Sequence, residues 1–125
     1  MTVAFDSSAL IAIVLDERGG DIAGPLLADG TVSAVIFAET LGKLAERGFD
    51  PNETRTFFLA TGLEVDAVTE TDALATAQLH ELRRRNVSLA DRFCLAHAMS
   101  RGFEIVTADR AWRELGLAVN VRLIR

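Results

Sequence analysis

An apolar run that stops at one carboxylate and two hydroxyls, and then resumes, leaves the start of a chain few ways to fold. Val3-Ala4-Phe5 is followed by Asp6-Ser7-Ser8, and then by Ala9-Leu10-Ile11-Ala12-Ile13-Val14-Leu15. Three apolar residues are too few for a helix but enough for a central strand, and Ser7 or Ser8 offers an N-cap oxygen to a following helix. A strand that feeds a buried helix begins an open α/β sheet, whose ligands sit at the carboxyl ends of the strands. Asp6 falls at such an end. An acid between two core segments must be paired, hydrated or coordinated to a cation, unless it merely caps the helix. Taken alone, Asp6 supports both readings.

A second acid interrupts a second apolar segment. Thr31-Val32-Ser33 reads as a short strand, with Ser33 as N-cap of a helix over Ala34 to Ala45 in which Glu39 and Lys43 are the only charges. Apolar almost all round, that helix is expected to be buried. Glu39 shares its face with Val35, Ile36 and Gly42, where solvation alone would not sustain a carboxylate. Pairing with Lys43 one turn on is the structural alternative.

Two more acids follow the same logic. Ser88-Leu89-Ala90-Asp91 starts a helix running through Phe93, Leu95, Ala96 and Met99 to Arg101, and its spacing is also that of a capping box. Phe103-Glu104-Ile105-Val106-Thr107 reads as a strand, and Ala108-Asp109 repeats the strand-then-acid arrangement of Asp6. Between these landmarks, Ile22 to Leu27 has helical spacing. Asp50-Pro51-Asn52-Glu53 opens a helix that buries Phe57, Phe58 and Leu59, and Gly62 to Asp66 alternates like an edge strand. Thr69 to Asp72 opens a helix through Leu82, and Val119 to Ile124 closes with a strand at the sheet edge.

Strands and helices in this order predict an α/β sandwich with a mainly parallel sheet whose carboxyl ends share one rim. Asp6, Glu39, Asp91 and Asp109 would converge there. Carboxylates so crowded repel, so either some stay protonated or a hard divalent cation neutralises them; with oxygen ligands only, Mg²⁺ or Mn²⁺ fits better than zinc. The natural reaction is metal-assisted phosphodiester hydrolysis. No Ser-His-acid or Cys-His constellation and no glycine-rich phosphate loop competes with it.

Composition narrows the setting. A chain of 125 residues is expected to form one domain with a sizeable core. Its one cysteine, Cys94, excludes an internal disulfide and reads as a small buried hydrophobe. The N-terminal run has no basic flank and falls short of the ~20 residues of a membrane span, so a soluble, cytoplasmic protein with no membrane partner is expected. The net charge of −5 is uneven: residues 1–82 carry 4 basic and 14 acidic side chains, residues 83–125 carry 9 and 4. The C-terminal third can face a polyanion.

Four segments carry a family resemblance: Asp6-Ser7-Ser8-Ala9-Leu10, Ser33-Ala34-Val35-Ile36-Phe37-Ala38-Glu39, Ser88-Leu89-Ala90-Asp91-Arg92 and Thr107-Ala108-Asp109-Arg110-Ala111-Trp112. In this order, and over essentially the whole chain, they resemble the PIN-domain ribonucleases and, within them, the VapC-like toxins of bacterial toxin–antitoxin pairs. The resemblance implies a PIN-like three-layer α/β/α sandwich and an acidic metal site of Asp6, Glu39, Asp91 and Asp109, with Ser8 and Thr107 as supporting hydroxyls. It also implies Mg²⁺- or Mn²⁺-dependent cleavage of single-stranded or loop RNA, homodimerisation, and inhibition by a cognate antitoxin. Arg83, Arg84, Arg85, Arg92, Arg110 and Arg113 are then candidate phosphate contacts. Trp112 either lines the cleft or packs in the core. His80 and His97 fit surface or helix-packing roles rather than ligation.

Two rival readings follow. Aspartyl-phosphate chemistry of the haloacid-dehalogenase type would need a second Asp two residues after Asp6, where Ser8 stands. A non-catalytic α/β binding module, its acids serving as caps and ion pairs, predicts no dependence on divalent ions.

Overall fold

In the computed structural model, which describes residues 1–125, five strands form one sheet in which every pairing is parallel. They are β1 (Val3–Phe5), β2 (Gly30–Ser33), β3 (Glu64–Asp66), β4 (Glu104–Thr107) and β5 (Val121–Leu123), in the spatial order β3-β2-β1-β4-β5. Parallel neighbours need long crossovers, and helices flank the sheet accordingly. These are α1 (Ser7–Val14), α2 (Gly20–Ala23), α3 (Ala34–Glu46), α4 (Pro51–Ala60), α5 (Glu70–Ala77) and α6 (Leu89–Arg101). None is long and apolar enough to cross a membrane.

The topology decides where a ligand can sit. The chain builds outward from β1 through β2 to β3, then returns to lay β4 against the other side of β1. That reversal makes a switch point at the carboxyl ends of β1 and β4, the usual binding crevice of an open parallel sheet. Asp6 directly follows β1, and Thr107 is the last residue of β4.

Beneath the crevice, Phe5, Val32, Ile105 and Val106 from the three central strands are fully buried, as are Leu10, Ile36 and Leu95 from the helices around them. Burying side chains of this size contributes roughly 1.5–3 kcal/mol each. Close strand approach needs Gly30, because a Cβ there would lie 2.5 Å from the Phe5 ring. Gly19, at φ +93°, lets the α1–α2 turn meet the chain end: a Cβ would stand 2.4 Å from the Ile124 carbonyl oxygen.

Several elements differ from the sequence reading. The helix expected over Ile22 to Leu27 ends at Ala23, and a 3-10 stretch from Gly24 to Asp29 carries Pro25 in its first turn. The helix expected through Leu82 ends at Ala77 and resumes as a 3-10 turn over His80–Arg85. α3 is not buried all round, since Ala38, Gly42, Lys43 and Ala45 face solvent. Small side chains bear exposure at little cost. Trp112 is 4 % exposed and belongs to the core rather than the cleft.

Candidate metal centre

Asp6 occupies the N-cap position of α1, yet its side chain makes no capping bond. It turns instead into the crevice. Oδ2 accepts hydrogen bonds from Ser8 Oγ at 2.6 Å and Thr107 Oγ1 at 2.8 Å, while Oδ1 is buried without any partner. The two hydroxyls are themselves fixed from below, Ser8 accepting from the Ala108 N–H at 2.9 Å and Thr107 from the Asp109 N–H at 3.0 Å. Their protons are thereby committed to Asp6.

Glu39 reaches the same place from α3, its Oε1 accepting from Ser7 Oγ at 2.6 Å. Sequence reasoning offered Ser7 only as a cap. The Lys43 pair is present at 3.9 Å, but that lysine side chain is 55 % exposed, and such a pair contributes little. Asp91 sits in the first turn of α6, whose Ser88 cap accepts its N–H at 3.1 Å. Asp6, Glu39 and Asp91 each offer an oxygen, and these oxygens lie within 4.8 Å of one another.

Burial and mutual repulsion raise the proton affinity of this group. Asp6 is 3 % exposed, and that burial lifts its carboxyl above the ordinary range, with the Glu39 charge adding to the rise and the Ser8 and Thr107 bonds opposing it. Asp91 is pushed up to about 6, first by burial, then by the charges of Asp6 and Glu39, with Ser88 opposing. Cys94 lies beneath, its Sγ donating to the Phe5 carbonyl at 3.7 Å. Burial, followed by the nearby acids, holds its thiol well above the usual range, so it stays protonated and is no ligand.

The structure divides the remaining candidates. Asp109 is exposed and outside the three-acid cluster: its Oδ1 accepts from the Ala111 N–H at 3.0 Å, capping a 3-10 turn over Arg110–Glu114. Arg85 donates to the carbonyls of Glu114 at 3.0 Å and Leu115 at 3.5 Å, and Arg113 to that of Val121 at 3.5 Å. Arg110 is exposed. Arg83, Arg84 and Arg92 line one shallow basin with His80 and Glu81. His97 is buried, and its Nε2 meets Asp66 Oδ2 at 2.7 Å.

Comparison with known proteins agrees with this architecture. A family model described as PIN domain matches residues 3–117. No curated protein matches the chain. Among solved structures, VapBC2 from Rickettsia felis, bound to a DNA fragment from its promoter, superposes with a TM-score of 0.77 at 16 % identity, covering 98 % of each chain. DNA-bound VapBC from Salmonella typhimurium gives 0.75 at 20 % identity, over 100 % of this chain and 99 % of that one. VapC20 from Mycobacterium tuberculosis, a toxin that cleaves the sarcin-ricin loop, gives 0.73 at 19 % identity, over 93 % and 96 %.

Proposed function

Because the chain belongs to the PIN-domain family, we propose that it is a divalent-metal-dependent endoribonuclease, the toxin of a bacterial toxin–antitoxin pair, that hydrolyses RNA phosphodiester bonds with an activated water. The observation that carries this reading is the convergence of Asp6, Glu39 and Asp91 with one oxygen of Asp6 buried and unpartnered. An orphaned buried acceptor among three carboxylates is costly unless a cation completes it. With no His or Cys in the set, the cation is a hard one, Mg²⁺ or Mn²⁺. When bound there, it lowers the pKa of a coordinated water and neutralises charge on the phosphodiester.

The chain's own residues do the positioning. Ser8 and Thr107 grip Oδ2 of Asp6, which leaves Oδ1 presented to the crevice. Ser7 orients Glu39 in the same way, and the first turn of α6 aims Asp91. Asp109 is the fourth acid of the reading. Its N–H already holds Thr107, and its Oδ1 accepts from the Ala111 N–H. Asp109→Asn keeps a capping oxygen, so lost cleavage in that variant isolates a role in the site from a role in the turn.

Likeness to VapBC complexes supports a cognate antitoxin, and a homodimer and a cytoplasmic setting belong to the same proposal. The test is cleavage of a panel of transfer and ribosomal RNAs in Mn²⁺, beside EDTA and the Asp91→Asn variant. Discrete products lost in both controls establish the activity. The alternative, a non-catalytic binding module, draws on the capping bond of Asp109 and the Glu39–Lys43 pair. It is separated by melting with and without Mn²⁺, since an ion that binds only the folded state raises the melting temperature. No cleavage together with no metal effect leaves the module in front.

A further inference from the structure

The six candidate arginines, Arg83, Arg84, Arg85, Arg92, Arg110 and Arg113, are equivalent in sequence but not in space. Arg85 and Arg113 donate to backbone carbonyls of the last third of the chain, where they tie the 3-10 turns and β5 together. Arg83, Arg84 and Arg92 instead surround a shallow basin of about 510 Å³ with His80 and Glu81, and no apolar residue lines it. None of these three guanidinium groups reaches a carboxylate within ion-pair distance, although the chain holds 18 acids. One donor of Arg92 is anchored, Nε giving a 3.3 Å bond to the Ser88 carbonyl, and this fixes the plane of the remaining fork.

The basin adjoins the metal centre through the backbone. Arg92 directly follows Asp91 in the first turn of α6, and consecutive helical side chains diverge by about 100°. One side of that turn therefore meets the acids and the next meets the basin. We infer that the basin of Arg83, Arg84 and Arg92 holds backbone phosphates of the RNA strand beside the bond presented to Asp6, Glu39 and Asp91, while Arg85 and Arg113 take no part in binding. For its ligand this inference rests on the ribonuclease reading above.

The chemistry of the lining specifies the class of ligand. Planar guanidinium forks match phosphate oxygens, and the lining holds no Phe, Tyr or Trp, His80 being its one ring. The one tryptophan is in the core, and the chain has no tyrosine. The basin consequently grips any sequence, and it sets the register of the strand rather than the choice of target.

The experiment measures binding of fluorescein-labelled single-stranded RNA 12-mers, one of uridine and one of mixed sequence, to the full chain in EDTA across a salt series. Binding to single strands weakens with salt with a log–log slope of roughly −0.7 per phosphate neutralised. Arg83→Ala/Arg84→Ala is expected to weaken binding of both oligonucleotides about tenfold at low salt and to flatten the slope by roughly 1.4, with Arg83→Lys/Arg84→Lys restoring the slope. Arg85→Ala and Arg113→Ala are expected to leave the slope unchanged and to lower the melting temperature slightly. An unchanged slope in Arg83→Ala/Arg84→Ala, a slope lost in Arg85→Ala or Arg113→Ala, or no RNA binding by the parent protein at low salt each overturns the inference. Because cleavage is never read, failure of the ribonuclease reading shows separately, as RNA binding without Mn²⁺-dependent products.

Discussion

Two clusters of carboxylates stand in this molecule under opposite electrostatic conditions. At the crevice, Asp6, Glu39 and Asp91 face one another, and the only cation within ion-pair distance of them is an exposed lysine 3.9 Å from Glu39. At the carboxyl end of edge strand β3, Asp66 meets His97 at 2.7 Å and Arg101 at 3.7 Å, and beyond it Asp72 meets Arg101 at 3.2 Å. Proton affinity separates the two. Asp6 and Asp91 are raised, above all by burial. Burial also pushes Asp66 upward, but the His97 bond and the charges of His97 and Arg101 carry it below its ordinary value. Asp72 is lowered chiefly by the Thr69 N–H of its capping box, then by Arg101. One cluster is completed from within the fold. The other is not, and it is this difference, rather than the acids themselves, on which the proposed site rests.

The largest expected effect comes from removing a charge at the crevice. Asp91→Asn is expected to reduce RNA cleavage on the order of 10³-fold or more, since several kcal/mol of charge stabilisation depend on the cation. Its metal-free fold should melt at the same temperature or higher, because a like charge has gone. Product formation on a gel and a melt of the same preparation check both halves.

The mirror experiment at the second cluster is His97→Ala. It removes a buried ring and leaves Asp66 with Arg101 as its only ion-pair partner, at a cost of about 2–3 kcal/mol. Urea unfolding reads that cost. The stabilisation given by Mn²⁺ should be unaltered, and a change in it would show that the two clusters are coupled.

Mn²⁺ itself should stabilise the parent protein by about 2.7 kcal/mol at a hundred times its dissociation constant. The same addition should do nothing for Asp6→Asn. An equal shift in that variant would mean that the ion binds elsewhere.

Acidity should separate the clusters with the smallest effect. A raised folded value, as for Asp91 at about 6, means that the folded state binds the proton more tightly than an unfolded Asp near ~3.9. The metal-free protein therefore gains stability at this site as pH falls from 7 through 6 towards 4. Lowered values work in the opposite sense: the contributions of Asp66 and Asp72 are present above about 4 and are lost as pH falls through their folded values. A melt series in EDTA should rise and then fall on acidification. Saturating Mn²⁺ should remove the rise, because the cation competes with the proton.

Much of this was legible in the residues. The strand before Asp6, the caps at Ser33, Asp50, Thr69 and Ser88, and the parallel order all follow from local chemistry that tertiary packing leaves intact. So did the convergence of Asp6, Glu39 and Asp91, because each follows or closely enters a helix at the same sheet rim. Orientation was not legible. Asp109 occupies the same kind of strand end as Asp6, yet it bonds Ala111, because the exposed turn after β4 offers its carboxyl a free N–H. Arg83, Arg84 and Arg85 are consecutive, but only Arg85 meets the Glu114 and Leu115 carbonyls, a contact fixed by packing some thirty residues away. The pairing of His97 with Asp66 spans 31 positions and has no local signature either.

The bond from Thr107 to Asp6 joins residues 101 positions apart, and it sets an order of events during synthesis. All three crevice acids have been made once Asp91 is added, but β4, which flanks β1 and carries Thr107, comes only at Glu104–Thr107. Until that strand emerges, β1 lacks one of its two neighbours and Asp6 lacks half of its support. A partly made chain thus holds the three crevice acids unassembled. We expect a chain ended at Gly102 to show neither Mn²⁺ stabilisation nor cleavage despite holding Asp6, Glu39 and Asp91, because β4 and Thr107 are needed to complete the crevice around Asp6.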